Sequence, residues 1–489
     1  LYTLPQILVT LQSGQICSLS DDFGHTLSGK SRWEWTTKIC LTKNEIFIMR
    51  INKITIKNFR GFAEEQFDFD ARMNVVLGNN TTGKTTLLHA VQIALGAFLQ
   101  ELTLVSGCSR NTKDCDIVRK YSNMTKSFQK QTEKPSFEID ANITDGTFHF
   151  DSKEYRSQEK HIKWLRQGPK NSHRNAGDLI EAVALMEQKR RNADKNQTTS
   201  VLPLMLSFGA SRLENNYNGA QKTKARASRE QKAYKCALDE KVDFKSAFDW
   251  LYRFDKEIAK GREFEGTDIA FINALKEAIP ALKQIEIDRK NNEFTTQIQM
   301  AKDANPYWLS YDMMSDGFKA MINIVSEIAY RCIELNGFLG EEAVKKTPGI
   351  VMIDEDDLDL HPHWQQHILS DLQTAFPLLQ FIVTTHSPFI VQSVESRSVI
   401  TLDGTKGDND PNKRSIEEIV INEMNLDTVR SAKYNDMVDK ATQYYEWVKA
   451  EKENTPEAID FKKKLDDIEA EFSDDPAYVA LLRAERRTL

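Results

Sequence analysis

The sequence predicts an α/β fold: a phosphate-loop head built from two separated segments, with a largely helical insertion between them and a helical C-terminal region. Three observations carry this. The stretch "VVLGNNTTGKTTLLHAVQIALGAFL" (Val75–Leu99) reads as a strand, a tight polar turn and a helix. Two later apolar runs, "PGIVMIDE" and "LQFIVTTHSP", end on acidic or polar residues, as buried strands do at the edge of a parallel sheet. Helical patterns alternate with these strands, which places ligands at the strand C-termini.

The elements follow in order. "INKITIKNF" alternates apolar and polar residues as a half-buried strand, and "FAEEQFDFD" is its expected partner. "MNVVLG" feeds the turn, and Thr85–Leu99 is a helix, so the first head segment spans residues 49–101. Residues 102–304 form the inserted α+β and helical region. Within it, "SFEIDANIT" and "TFHFDS" predict a hairpin around Asp145-Gly146, and Ala176–Arg191 a charged helix. "VLPLMLSFGASR" is a buried strand. Phe244–Lys260 is a helix with Phe244, Phe248 and Leu251 on its apolar face and Trp250 at its flank. "IAFINALKEAIPAL" is a further helix, and "KQIEIDR" with "FTTQIQM" a strand pair. Residues 305–405 complete the head, with a long helix in "DGFKAMINIVSEIAYRCIELNGF", a helix in "HWQQHILSDLQTAF", a short helix in "PFIVQSV" and a last strand in "SVITLDG". Residues 406–489 are polar and helical, and their Tyr444, Tyr445, Trp447 and Val448 offer a surface for docking a partner.

Composition narrows the classes. The chain has 489 residues, enough for two or three domains, and a net charge of −7, so it is not a general polyanion binder. Six scattered cysteines without a C-x-x-C pair point to reduced thiols and a cytoplasmic protein. No apolar run is long enough for a transmembrane helix, so no membrane partner is expected. Strong patterning starts at Met49, and residues 1–48 read as a non-native or disordered N-terminal extension.

Four motifs carry chemistry. Gly78–Thr85 fits G-x-x-x-x-G-K-[ST]. Its backbone N–H groups, through Asn79, Asn80, Thr81, Thr82 and Thr86, and the helix N-terminus behind them suit phosphates. Gly78 and Gly83 allow the close backbone approach, Lys84 supplies a point charge, and the Thr85 hydroxyl suits Mg²⁺. In "GIVMIDE", Asp354 ends a strand where it can hold Mg²⁺, and Glu355 follows as the base for an attacking water. In "MMSDGFKAM", Ser315 and Gly317 open a helix that can bind phosphate; an ordinary N-cap by Ser315 or Asp316 is the plainer reading. In "TTHSP", His386 ends the next strand, placed to touch a γ-phosphate.

These motifs, in this order, resemble the ABC-type ATPase heads of the SMC, RecF and OLD superfamily. The opening "INKITIKNFRGF" resembles that superfamily's first strand, and the resemblance implies that Arg60 lies near the nucleotide. It implies an SMC/RecF-type head in which ATP and Mg²⁺ are held between two copies. Ser315 and Gly317 of one copy then serve the nucleotide of the other, in a homodimer or higher homo-oligomer. "IDEDDLDLHPHWQQHIL", "SDGF" in place of S-G-G-Q, and "LPLMLSFGASR" are similar to the PtuA-type ATPases of Septu and retron antiphage systems. That similarity implies an ATPase that regulates a PtuB-like HNH nuclease. In retron members a reverse transcriptase and its RNA–DNA hybrid are further partners. The acidic turn departs from the family pattern at Asp356 and Asp359, and "DIVR" (Asp116–Arg119) matches a Q-loop only thinly.

Other readings have less support. An intrinsic nuclease of the OLD type needs a Toprim domain after the head, and the tail lacks its acidic pattern, so no intrinsic nuclease is expected. Asp357, Asp359, His361, His363 and His367 form a weak metal-cluster pattern. A transporter head would be shorter and carry S-G-G-Q. An SMC-type clamp would show sustained heptads. A RecF-like DNA-repair ATPase or loader is the runner-up. The stretch "QKTKARASREQKAYK" (residues 221–235), with Lys222, Lys224, Arg226, Arg229, Lys232 and Lys235, is either a nucleic-acid contact or a solvated linker.

Overall fold

The structure is a computed structural model. It describes residues 45–471 except 103–110, 131–132, 148–156, 168–171, 196–199, 211–227, 240–244, 262, 289–292, 300–304, 356, 358–359, 403–409, 427, 430, 451 and 453–454.

The first strand, β1 (Glu45–Phe59), turns at Arg60-Gly61 into the antiparallel β2 (Phe62–Asp68). Next come β3 (Met73–Leu77) and α1 (Lys84–Glu101). A short hairpin follows, β4 (Arg119–Ser122) with β5 (Ser127–Lys130). Then come β6 (Ser136–Thr147), β7 (Ser157–Gln167), β8 (Ser172–Asn175), α2 (Gly177–Lys195), β9 (Ser200–Val201) and β10 (Leu204–Phe208). The chain before the long helix also holds α3 (Arg229–Ala233), α4 (Lys245–Ile258), α5 (Thr267–Ala278) and the sheet of β11 (Leu282–Asp288), β12 (Glu293–Ile298) and β13 (Tyr307–Ser310).

The long α6 (Asp316–Asn336) leads back to the head: β14 (Gly349–Ile353), α7 (Pro362–Gln365), α8 (Ile368–Ala375), β15 (Leu379–Thr384), α9 (Pro388–Gln392) and β16 (Val399–Thr401). The tail carries α10 (Ile416–Asn422), α11 (Ala432–Lys449) and α12 (Pro456–Glu471).

Two sheets enclose α1. One is parallel throughout, in the order β10-β14-β15-β3-β16. Every residue of β3, β10, β14 and β15 is buried, which explains why these strands read as unbroken apolar runs rather than alternating ones. The other sheet has the order β2-β1-β6-β7-β8, with β9 joining β1. The helix α1 is buried nearly all round. Gln92 on α1 donates to Ser207 Oγ on β10 at 2.7 Å, while Trp164 and Arg166 on β7 donate to the carbonyls of Ala94 and Ile93. Gln380 on β15 donates to the carbonyl of Ile51 and accepts from its N–H, so one amide side chain joins the sheets.

The local readings of most elements hold, and five are corrected. Asp145-Gly146 is not a turn. It lies inside β6, paired with Phe47 and Ile46 on one side and with Gln158 and Ser157 on the other. Two ladders outweigh the turn preference of an Asp-Gly pair, and the hairpin partner is β7. The strand at Met49 begins upstream, at Glu45, because Glu45 and Ile46 pair with β9 as well as β6; residues 1–44 lie outside the described residues. The run "VLPLMLSF" is two strands in two sheets, β9 and β10, since Pro203 has no N–H to continue a ladder. The helix expected over "HWQQHILSDLQTAF" breaks between α7 and α8, where His367 leaves helical geometry (φ −122°, ψ −21°). On α4, Trp250 is part of the buried face with Ala247, Leu251 and Phe254, while Phe248 is half-buried; Phe244 lies outside the described residues.

Candidate functional site at the edge of the parallel sheet

The C-terminal edge of the parallel sheet gathers the motifs. From β3 the chain turns through Gly78–Gly83, with Asn79, Asn80 and Thr81 exposed and Thr82 and Thr86 half-buried. Two glycines are sterically required. A Cβ on Gly78 would lie 2.4 Å from Thr82 Oγ1, and one on Gly83 would lie 2.7 Å from the Phe62 ring. Gly83 also has φ 111°, a left-handed conformation that side chains resist. Lys84 is buried, and its Nζ donates to the carbonyls of Gly78 (2.7 Å) and Asn79 (3.2 Å), which holds the ammonium inside the loop.

The neighbouring strands β14 and β15 run in register, with Ile353 opposite Val383. Their ends form a hydrogen-bonded chain. Thr85 Oγ1 donates to Asp354 Oδ2 at 2.9 Å, and Thr384 Oγ1 donates to Asp354 Oδ1 at 2.6 Å. The N–H of Glu355 donates to the same Thr384 hydroxyl at 2.8 Å. Glu355 is held at φ 51°, the left-handed region, at the point where the strand ends. Asp354 is buried and Glu355 half-buried, so the first carboxylate is fixed by hydroxyls and the second stands closer to solvent.

Oxygen donors of this kind suit Mg²⁺, and Thr85 and Asp354 are the pair that would hold it. Lys84 and the N-terminus of α1 suit the phosphates of ATP.

His386 follows β15 by two residues and is half-buried. Asp357 braces this end: its Oδ1 accepts from Thr385 Oγ1 at 2.7 Å and from the His386 N–H at 3.1 Å. Gln365 donates to the carbonyls of Leu360 and Asp357 and accepts from Ser387 Oγ. The acidic turn is therefore tied to the His386 turn from both sides. Thr384, Thr385 and Gln365 were not singled out in the sequence. "TTHSP" held the signal, since two hydroxyls at the end of a strand beside an acidic strand end have few other partners. Asp356 and Asp359 lie outside the described residues.

Arg60 stands in the β1–β2 turn at φ 50°. Its Nε donates to Asp116 Oδ1 at 2.7 Å, and a terminal nitrogen lies 2.6 Å from His89 Nδ1, one helical turn beyond Thr85. Ser315 is the exposed N-cap residue of α6, without a side-chain cap bond, and Gly317 is buried behind it. The helix α6 packs on β10, the sheet edge away from β3. Three strand spacings, about 14 Å, separate β3 from β10. One chain thus brings together Gly78–Thr86, Asp354, Glu355 and His386, while Ser315 and Gly317 open the helix that packs on the edge strand β10. Phe318 packs edge-on against Trp364 at 4.8 Å, which fixes the start of α6 to the segment after the acidic turn.

Three further expectations are corrected or limited. In the basic stretch 221–235, Arg229 pairs with Glu263 (3.0 Å) and Glu334 (3.6 Å), and Lys232 with Glu334 (3.4 Å); Lys222, Lys224 and Arg226 lie outside the described residues. Those ion pairs make the α3 part of the stretch a structural joint with α6 rather than a free basic face. His363 and His367 do meet, with ring centroids 5.6 Å apart, but no group of three or more metal-binding side chains forms among the described residues. Tyr444 is buried, and Trp447 packs on Phe461 of α12 at 5.0 Å, so part of the aromatic surface of α11 is used within the tail. No helix among the described residues is long and apolar enough to cross a membrane.

The chain is similar to several known proteins. The chain is 25% identical over 399 residues to the retron Vc95 probable ATPase of Vibrio cholerae serotype O1 biovar El Tor, covering 72% of this chain and 73% of the relative. It is 34% identical over 144 residues to the Septu protein PtuA of Bacillus thuringiensis, covering 26% and 35% of the two chains. Among solved structures, the SMC head bound to the C-winged helix domain of ScpA matches 72% of this chain and 94% of that one, at 13% identity and a TM-score of 0.37. The model of the AAA ATPase domain matches residues 49–391, which include the phosphate loop, Asp354, Glu355 and His386. With the phosphate loop hydrogen-bonded to the acidic strand end inside that match, the chain belongs to the AAA ATPase domain family and is an ATPase.

Proposed function

We propose that this chain is the ATP-hydrolysing regulatory subunit of an antiphage system of the retron or Septu kind, and that it controls a partner HNH nuclease by nucleotide-dependent pairing of two heads. The observation that supports the catalytic part is the chain Thr85–Asp354–Thr384–Glu355 N–H, which ties the phosphate loop to the acidic strand end. Gly78–Thr86 hold the phosphates of ATP, with Lys84 leaving its carbonyl partners for them. Thr85 and Asp354 would hold Mg²⁺, which would neutralise charge at the phosphates when bound. Glu355 takes the proton of the attacking water, and His386 faces the γ-phosphate. Arg60 reaches the nucleotide from the β1–β2 turn. Ser315 and Gly317, at the exposed start of α6, serve the nucleotide of a second copy, as the resemblance to ABC-type heads implies. The likeness to retron and Septu ATPases supports the antiphage context, and the nuclease partner is what the resemblance to PtuA-type ATPases implies.

Two variants test the chemistry. Lys84→Ala is expected to abolish ATP binding in equilibrium dialysis. Glu355→Gln is expected to keep ATP bound and to accumulate paired heads in light scattering. Hydrolysis at the wild-type rate in Glu355→Gln would remove the catalytic assignment. The partner is tested by purifying the tagged chain expressed with its neighbouring genes. A stoichiometric HNH-type nuclease supports the proposal, with a reverse transcriptase and its RNA–DNA hybrid narrowing it to a retron. Replication or recombination proteins without a nuclease replace it with a RecF-like loader.

A further inference from the structure

The β4–β5 hairpin is not used by the ATPase chemistry, and its surface has an unusual make-up. From Ile117 to Lys130 the chain carries Arg119, Lys120, Lys126 and Lys130 and no acidic residue, in a protein whose net charge is −7. Across the two strands Tyr121 stands opposite Phe128, and Arg119 opposite Lys130. The Tyr121 and Phe128 rings meet edge-on at 5.3 Å and are 54% and 66% exposed; Met124 in the turn is 98% exposed. Rings that serve only to hold a hairpin closed gain nothing from this exposure.

The hairpin is also well braced. The Thr125 hydroxyl accepts from Ser127 Oγ and from Gln129 Nε2, and the Thr125 N–H donates to Ser122 Oγ. At its root, Ile117 bridges Phe59, the Arg60 N–H donates to the carbonyl of Asp116 at 2.7 Å, and the Arg60 side chain pairs with Asp116. A firmly rooted ribbon with exposed aromatic faces between cations matches a strand of unpaired nucleotides, whose bases stack and whose phosphates carry the opposite charge.

We infer that the β4–β5 hairpin binds single-stranded nucleic acid, through stacking on Tyr121 and Phe128 and phosphate contacts to Arg119 and Lys126. A duplex is the poorer fit, because paired bases do not offer their faces to the rings. DNA and RNA share the chemistry, and both are probed. The inference stands whether or not the antiphage reading holds.

The test is fluorescence anisotropy with short labelled oligonucleotides of mixed sequence: single-stranded DNA, the same sequence as RNA, and the DNA duplex. The full chain is expected to bind at least one single strand more tightly than the duplex. Combined Tyr121→Ala and Phe128→Ala is expected to weaken that binding by roughly ten-fold or more. Combined Arg119→Glu and Lys126→Glu is expected to weaken it and to lower the salt dependence, by about 0.7 in the log–log slope for each lost phosphate contact. Circular dichroism and ATP hydrolysis without oligonucleotide should match the wild type in both, which shows that the head still folds. Three results overturn the inference: no single-strand binding by the wild type, unchanged binding in both variants, or duplex binding as tight as single-strand binding and insensitive to the aromatic change. Loss of self-association in the variants, with oligonucleotide binding intact, would also overturn it and assign the hairpin to a protein contact.

Discussion

Two basic segments of this molecule have similar compositions and opposite fates. In α3, Arg229 and Lys232 meet Glu263 and Glu334, and the two glutamates are 7% and 1% exposed. Burial raises the pKa of Glu334 against the pull of Arg229 and Lys232, so that carboxylate depends on its cations to stay charged. In the β4–β5 hairpin, Arg119 and Lys126 lie exposed on a ribbon whose own sequence holds no carboxylate. The contrast teaches that a run of lysine and arginine does not declare a ligand. What decides is whether the fold brings carboxylates to it from elsewhere in the chain, here from α6 and from Glu263.

The largest expected effect tests this contrast through stability. Arg229→Ala leaves Glu263 and Glu334 short of a partner and should cost about 2–4 kcal/mol in denaturant unfolding, because removing one member of a buried pair strands the other. Arg119→Ala should change stability by no more than about 0.5 kcal/mol, as an exposed substitution does. Equal costs would erase the distinction between joint and surface.

A middle-sized effect concerns a hydroxyl rather than a charge. Thr384→Val keeps the shape of β15 but removes the bonds to Asp354 and to the Glu355 N–H. Hydrolysis should fall roughly ten- to a hundred-fold with nucleotide affinity little changed, since the carboxylates lose their alignment rather than their identity. An unchanged turnover number would show that Thr384 does not position them.

The smallest effect extends the comparison to a lone acid. Asp371 lines a cavity of about 400 Å³ with His363, His367, Trp364 and Lys283. Burial pushes its pKa up to about 6, opposed by His367. A raised carboxyl pKa means the folded state holds the proton more tightly, so this group lowers stability as pH rises from its ordinary value of 3.8 through about 6. Asp371→Asn should therefore be slightly more stable than the wild type above pH 6, with the difference fading toward pH 4. A difference that grows as pH falls would reverse the sign and discard the burial argument.

The parts of the fold that could be read directly are those governed by neighbours in sequence. The strands β3, β14 and β15 are short apolar runs, and the phosphate loop follows one of them immediately. Long-range pairing hid the rest. Asp145-Gly146 looks like a turn until β1 and β7 flank it, and the flank position given to Trp250 fails because Phe254, Phe271 and Tyr330 close around the ring. At the site, Asp354 and Glu355 announce themselves by following a strand. Thr384, which holds Asp354 and the Glu355 N–H, and Asp357, which braces the His386 turn, act across the ends of β14 and β15, and no local pattern states that pairing.

The β1–β2 turn has one more consequence. Phe62 leans on Gly83 of the phosphate loop, and Arg60, two residues earlier, clasps Asp116 at the root of the hairpin. One short segment therefore adjoins both the phosphate loop and the root of the hairpin proposed to bind oligonucleotides. A displacement of it by either ligand would be felt by the other, and equilibrium would make the influence reciprocal: whatever factor ATP applies to oligonucleotide affinity, the oligonucleotide applies to ATP affinity. The coupling can be read from either end of the molecule, and the two readings must agree.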